Sequence, residues 1–561
     1  MRRIVPPERQ TSLTFQSPQN MPASPASAPL SPTARYVLWG LGLLFLLRLT
    51  LLFTSYTDLY PDEAQYWLWS RTLDFGYYSK PPMIAWLIHI STLFSSSEPF
   101  VRLFAPVLHL GAALCLWGAG QRLFDEKTGL IAAVIYSLMP GVVLSSAVIS
   151  TDAPLMFFLA LTFYFYSLFL TASHDGQRWR AATGMGVAFG AAFLSKYACL
   201  YFLIGAAAHA ILVPSVRTKW RLKYIAAFAA VFALLMSPNL YWNATHGFQT
   251  VSHTADNANW HWGKLFNPVS LLTFWRDQLG VFGPLPFILL ILGIAGLMPR
   301  FQTWLRVETD SDARAHLIGL TCLSLPPLIF VSVQAFLSRA NANWAASAYV
   351  PASLLVAAFL THGFTPFRSR PVWRVILGTG LAFQIIVMGV FMAGVLSPDL
   401  TRSLGLSNMV KRARGWDSLA LAVIAEARNG PQPTAIAVDN RNVFNALAYY
   451  GRDWFAAHPD VPLEAWVREA HPKSQAETES PLSEKEGRDV LIVSYVGHFV
   501  PDIRRDFLST DTGKSLKITI DHKRTRDFTL IRGWNFHRAP RDPVTGHPVG
   551  SGASDTAEED Q

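Results

Sequence analysis

Long apolar runs separated by short charged loops set the pattern from Tyr36 to about Leu396. Measured against the ~20 residues a helix needs to cross hydrocarbon, they predict about eleven spans. These lie near 36–54, 101–123, 129–149, 153–172, 181–195, 197–213, 223–240, 278–298, 316–337, 344–362 and 372–397. The stretch 181–213 reads as two short helices rather than one kinked span. Two loops are long, 55–100 and 241–277. Beyond Leu396 the period changes. Val410 to Arg428 reads as an amphipathic helix and NVFNALAYYG (442–451) as a second helix. TAIAVD (434–439), DVLIVSYV (489–496), SLKITIDH (515–522) and DFTLIRGW (527–534) read as strands. The expected architecture is an α-helical polytopic membrane bundle over 35–397, followed by a small α/β domain over 398–535. Residues 1–34, rich in Pro, Ser and Gln, and the polar, acid-ended 536–561 are expected to be disordered tails, and 470–487 a charged, Ser-rich loop.

Composition agrees with a membrane protein: 51% of the 561 residues are hydrophobic and only 15% charged, against roughly 25% in soluble domains. The net charge of +9 does not form a nucleic-acid stripe, because the basic residues sit mainly in alternate short loops. Arg122 and Lys127, Arg178 and Arg180, Arg217 to Lys223, Arg300 to Arg314, and Arg368 to Arg374 mark the inner face. The N-terminus is then inside, and both long loops and the α/β domain are outside, on the periplasmic face of a bacterial inner membrane. Cys115, Cys199 and Cys322 fall far apart in apolar runs, with neither a disulfide framework nor a zinc-type spacing.

On the outer side the charges become informative. The stretch TDLYPDEAQYWLWSRTLDFGYYSKPP (57–82) sets Asp62, Glu63 and Lys80 among Tyr and Trp side chains at the bilayer lip. Asp74, Asp152, Asp256 and Asp277 fall on the same side, as do Lys196, Lys264 and Arg276. Charge gathered at one face of an apolar bundle argues for a site. Each residue also has a plainer reading. Asp62 could cap the helix that begins near Glu63, and Asp152 in STDAP could be an N-cap. Lys80, stiffened by Pro81 and Pro82, could bind a phosphate or snorkel to the interface. Lys196 has no acid near it in sequence. The Trp-rich loop 241–277, with His246, His253 and His261, could hold a sugar ring or form an interfacial belt.

YPDEAQYWLWS and GYYSKPPMIAWLI resemble the first outer loop of the family 39-type glycosyltransferases. These are bacterial relatives of the protein O-mannosyltransferases, and they include transferases of aminoarabinose and galacturonic acid to lipid A and lipopolysaccharide. The likeness continues through STDAPLMFF (150–158), FLSKYACL (193–200), the WN of YWNATHGF, NWAASAY (343–349), RGWDSLALAV (414–423), LAYYGRD (447–453) and RDFTLIRG (526–533). It covers about 500 residues in one order, and names the superfamily but not a sugar.

The resemblance implies a GT-C fold, a polyprenyl-phosphate sugar donor and inversion at the anomeric carbon. It implies Asp62 as general base, with Glu63 as its catalytic companion or as the group orienting it. Lys80 and Lys196, with Arg276 or His253, would bind the donor phosphate. Asp152, Tyr66, Tyr78, Asn343 and Trp344 would contact substrate. Where the aminoarabinose transferase has a Glu before the phosphate-binding Lys, taking part in a zinc site, this chain has Ser79. His253 without that carboxylate is a poor metal site, so no metal is expected to be required, although a divalent cation stays open. The expected acceptor is a lipid or glycan of the lipid A type. A protein acceptor is the alternative within this class. A lipid-linked sugar flippase is the alternative from another, though no internal repeat supports it.

Overall fold

The computed structural model describes residues 30–256, 258, 265–301, 311–363, 371–483, 488–543 and 546–549. The expected tails 1–34 and 536–561 fall largely outside these residues. Seven helices are long and apolar enough to cross a membrane: Pro32–Thr54, Glu98–Leu123, Asp152–Thr171, Leu222–Thr245, Ser311–Leu337, Ala342–Gly363 and Pro371–Gly394. They coincide with seven of the expected spans.

The remaining expected spans take other forms, for local reasons. The run 129–149 is cut into Glu126–Leu138 and Pro140–Ser145, because Met139, held extended before a proline, ends the first helix. Residues 181–195 are the C-terminal part of Asp175–Ser195, whose opening turns carry Asp175, Arg178 and Arg180. The run 197–213 is the short apolar helix Tyr197–Leu212. The span drawn over 278–298 straddles a 110° bend between Pro268–Phe282 and Pro284–Gly296. Gly283 makes the bend at φ 95°, a left-handed conformation that a side chain would strain, and Pro284 cannot extend the preceding helix. Among the described residues seven helices are therefore long and apolar enough to cross a membrane, or up to eight if the bent pair is one span. Small residues such as Ala112, Ala133 and Ala160 are fully buried where the helices meet, which lets backbones approach closely.

The C-terminal sheet has the order β2–β1–β3–β6–β4, with β5 also on β6. β1 (Ala435–Val438) pairs in parallel with β2 (Leu463–Ala465) and β3 (Val490–Ser494). β6 (Thr525–Phe536) runs antiparallel to β3, to β4 (Phe507–Thr510) and to β5 (Lys514–Thr519). The unbroken apolar runs of β1 and β3 follow from burial on both faces. Trp416, Leu419, Val443 and Leu447 cover one face of the sheet, and Trp466, Ile503 and Phe507 the other. The helix expected from Val410 begins at Trp416. The short β2 and β4 carry no alternating pattern long enough to predict. Residues after Phe536 do not leave the sheet at once: the Asp506 carboxylate accepts from Arg541 at 2.8 Å, the Trp466 indole N–H at 2.7 Å and the Ala539 N–H at 2.9 Å. The loop 470–487 contains the helix Gln475–Glu479, and its last residues, 484–487, lie outside the described ones.

The first long loop joins the bundle to the sheet. Its helix Pro61–Trp69 packs on the helix Arg441–Tyr450, with the rings of Trp67 and Tyr449 edge to face at 5.0 Å. The Leu59 N–H donates to the Tyr450 hydroxyl at 2.7 Å. The Trp416 N–H donates to Asp58 Oδ2 at 2.8 Å.

Candidate active site

Glu63 anchors the loop helix. It is fully buried, and Arg102 donates to its two oxygens at 2.9 and 2.7 Å. The Tyr60 and Ile149 N–H groups each donate to it at 2.9 Å. Arg102 spends its remaining donors on Thr57 and on the Asp58 carbonyl, the latter at 2.6 Å. A buried carboxylate with every oxygen engaged has no capacity left to take a proton from substrate. Of the two roles expected for Glu63, catalytic companion or orienting group, this geometry fits the orienting one. Arg102, read as part of a span, was missed; its one sequence signal is a cation at the outer end of an apolar run.

Asp62, next along the helix, is in the opposite condition. It is exposed in the first turn. The helix entry is satisfied by Glu63, which accepts the Tyr60 N–H, so the capping alternative for Asp62 does not hold. Its carboxylate enters no ion pair among the described residues.

Opposite stands Lys80, half-buried, on a turn closed by the Tyr77 N–H donating to the Lys80 carbonyl at 3.1 Å. Burial first, then repulsion from Lys196, lowers the pKa of this ammonium from its ordinary 10.5, against the pull of Asp62 and Asp152. Asp62, Asp152 and Lys196 are thus all near enough to Lys80 to act on its charge. Asp152, buried, is held by Lys196 at 2.7 Å and by the Asn343 amide at 2.7 Å. Lys196, expected to have no acid, thus finds one 44 residues away in sequence. Tyr66 is buried beside them. Burial, then the charges of Asp62 and Asp152, push its hydroxyl well above the ordinary value of 10 and keep it a proton donor.

A fifth charge was not anticipated. Arg441, first residue of the helix docked on Pro61–Trp69, acts electrostatically on both Lys80 and Tyr66.

Other expected residues serve the frame. Trp242 donates to Asp74 Oδ2 at 2.7 Å and stacks on His246 at 4.2 Å. Asn239 donates to the Phe75 carbonyl at 2.6 Å, and Thr250 to that of Tyr77 at 2.7 Å. The end of the helix Leu222–Thr245 and Thr250 after it therefore clamp residues 74–77, and Asp74 is removed from the set of free acids. Tyr78 lies against His253, ring centroids 5.6 Å apart. Arg276 is exposed and paired at 2.8 Å with its neighbour Asp277, so it is not brought to Lys80 as expected. Trp344 packs on the bundle core beside Asn343. His261, Lys264 and the side chain of Asp256 lie outside the described residues. Among the described residues no three His, Cys, Asp or Glu side chains gather as metal ligands. Beside the site, Leu51, Leu52, Thr57, Tyr60, Leu144, Phe391 and Val395 line a shallow, mainly apolar cleft.

Residues 79–242, which include Lys80, Asp152 and Lys196, match the dolichyl-phosphate-mannose-protein mannosyltransferase family. The lipid A galacturonosyltransferase RgtD of Rhizobium johnstonii is 35% identical over 422 residues, covering 72% of this chain and 80% of that one. The chain belongs to the GT-C glycosyltransferases. An undecaprenyl phosphate-alpha-4-amino-4-deoxy-L-arabinose arabinosyl transferase of Pectobacterium carotovorum is 24% identical over 406 residues, 66% of this chain and 68% of that one. The GT-C architecture extends over nearly the whole molecule. ArnT from Cupriavidus metallidurans, solved with undecaprenyl phosphate, superposes with a TM-score of 0.60 at 15% identity, over 90% of this chain and 98% of that one. The family read from the loop motifs is thus the family found, and the enzyme is a multi-pass GT-C glycosyltransferase.

Proposed function

We propose that the enzyme moves a sugar from a polyprenyl phosphate to a hydroxyl of a lipid acceptor of the lipid A type, at the periplasmic face of a bacterial inner membrane. The observation that carries the reading is an exposed carboxylate, Asp62, acting electrostatically on the Lys80 ammonium while neither enters an ion pair among the described residues and Glu63 and Asp152 are each held by a cation. The names of its relatives supply the donor and acceptor classes. The basic inner loops supply the orientation.

In this reading the acceptor oxygen attacks the anomeric carbon from the side opposite the phosphate, and its proton passes to Asp62. The bond from the anomeric carbon to the phosphate oxygen breaks, its electron pair stays on that oxygen, and Lys80 stabilises the departing polyprenyl phosphate. Configuration inverts. Lys196 holds Asp152, and the pair with Asn343 forms the wall of the hollow. Tyr66 donates a hydrogen bond toward the oxygens that gather between the carboxylates. The apolar cleft beside Tyr60 accommodates the first isoprene units. Purified protein in lipid nanodiscs, given a polyprenyl-phosphate sugar and a lipid A acceptor, is expected to give glycosylated lipid by mass spectrometry. A protein that carries the donor across vesicles and yields no product would overturn the reading in favour of a flippase.

A further inference from the structure

Arg48 is a charge inside the bundle that the site described so far does not use. It lies on the helix Pro32–Thr54 between apolar neighbours and is buried. Among the described residues it enters no ion pair, and its Nε meets no acceptor. A guanidinium at membrane depth with no counter-charge is expensive and is kept only where it serves something. What it holds is a backbone oxygen: Nη2 donates to the Ser137 carbonyl at 2.6 Å. Ser137 stands in the last turn of Glu126–Leu138, the helix broken at Met139. Carbonyls at a helix end have no donor within the helix, and hydrocarbon offers none. The guanidinium supplies one, with its charge at the favourable end of the dipole. A second grip lies one residue back, where the Tyr136 hydroxyl and His109 Nδ1, both fully buried, are 2.8 Å apart.

From this break the chain runs to the helix of Asp62. Met139 leads into Pro140–Ser145, whose Val142 and Val143 N–H groups donate to the Met139 carbonyl at 2.9 and 3.0 Å. Met139 and Val142 are buried in the bundle core. Val143 shares an apolar cluster with Leu51, one turn beyond Arg48 on the same helix. Gly141 lies so near Val281 that an added Cβ would stand 3.1 Å from it. A segment wedged in this way passes on a shift at Ser137 rather than absorbing it. At its far end the Ile149 N–H donates to Glu63 Oε1 at 2.9 Å, and Glu63 anchors the helix that carries Asp62. Lys80 is held by a different frame, the clamp of Asn239, Trp242 and Thr250 on residues 74–77. We infer that Arg48 is a positioning residue for Asp62: by holding the broken helix end at Ser137, it sets where the Ile149 N–H meets Glu63 and so where the base stands. The inference rests on Asp62 being the base of the proposed transfer.

The test compares full-length wild type, Arg48→Met, Arg48→Gln and Arg48→Lys in lipid nanodiscs. Hydrogen exchange read by mass spectrometry is expected to rise in Arg48→Met over 139–149 and 57–69, and to stay at the wild-type level over 74–80 and 239–250. The rate constant of single-turnover transfer at saturating donor and acceptor does not depend on how much protein is folded. It is expected to fall by about tenfold or more, the effect of a base displaced by a fraction of ~1 Å. Affinity for polyprenyl phosphate, the leaving group of the transfer, should match wild type. Arg48→Lys keeps a cation and a donor for the Ser137 carbonyl, and should recover most of the rate. Arg48→Gln carries the same comparison where Arg48→Met is not recovered folded. Unchanged exchange over 139–149 and 57–69, exchange raised throughout the bundle, an unchanged rate, or an equal loss of polyprenyl phosphate affinity each overturns the inference. If Asp62→Asn transfers at the wild-type rate, the assignment of the base fails instead. The exchange pattern then decides by itself whether Arg48 positions Glu63.

Discussion

Glu63→Gln separates a positioning carboxylate from a catalytic one. The wild-type side chain accepts four N–H groups: the Arg102 Nε and Nη2, and the Tyr60 and Ile149 amides. A glutamine of the same shape presents an NH₂ to at least one of these donors and leaves the buried Arg102 guanidinium without its counter-charge. Breaking one partner of a buried pair costs about 3–5 kcal/mol. The cost falls on the helix Pro61–Trp69 and on the strand of loop at Thr57 and Asp58 that Arg102 also holds. Thermal unfolding of the nanodisc protein, followed by Trp fluorescence, should therefore drop by several degrees. Glu63→Gln combined with Arg102→Gln should be no less stable than Arg102→Gln alone, since the unpaired buried charge is gone. If Glu63→Gln unfolds within about 1 °C of wild type yet has lost turnover, the carboxylate acts on substrate and the argument from its saturated hydrogen bonds is wrong.

Three more outcomes follow from the frame. Gly76 lies under the Trp242 ring, where an added Cβ would stand 2.3 Å from ring carbon Cε3. Trp242 is fixed by Asp74 and His246, so Gly76→Ala should destabilise by about 1–3 kcal/mol and lower kcat/KM by displacing Lys80; an unchanged variant would show the clamp to be loose. Asp58 is pushed from 3.8 up to about 6 by burial and then by Asp417, against the Trp416 and Asp417 N–H groups it accepts. A raised carboxyl contributes stability that is full below its unfolded value and lost as pH rises through the folded one. The melting-temperature difference between wild type and Asp58→Asn should therefore widen in the variant's favour from pH 4 to about 6 and level off above; a flat difference contradicts the shift. Lys80, lowered from 10.5 by burial and by Lys196, should lose its proton, and the enzyme its kcat/KM, at a pH below that ordinary value. Lys80→Arg should carry activity further into the alkaline range, and coincident alkaline limbs would contradict the role given to Lys80.

The spans that cross in one straight, strongly apolar helix were legible, because twenty apolar residues have few other uses in a chain. Those interrupted by Pro140 or Gly283 were drawn as single straight helices, since a hydropathy window does not register a break that a single residue makes. The cluster of Asp62, Lys80, Asp152 and Lys196 was legible as charge out of place beside a membrane. Its internal division was not. Glu63 and Asp62 are adjacent in sequence and face opposite ways, one into Arg102 and one into the open hollow, and that depends on a helix phase set by Pro61 and on a partner 39 residues distant. Arg441 was hidden for a related reason: it joins the site through the docking of Tyr449 and Tyr450 on the first loop, which no local pattern announces.

Single-turnover transfer by Asp62→Asn, beside its melting temperature, tests the central claim most directly. The variant keeps the helix entry made by Glu63 and should melt with wild type and still bind donor, while transfer falls by about 10²-fold or more, the loss of a general base. A variant that folds, binds donor and transfers at the wild-type rate would contradict the account.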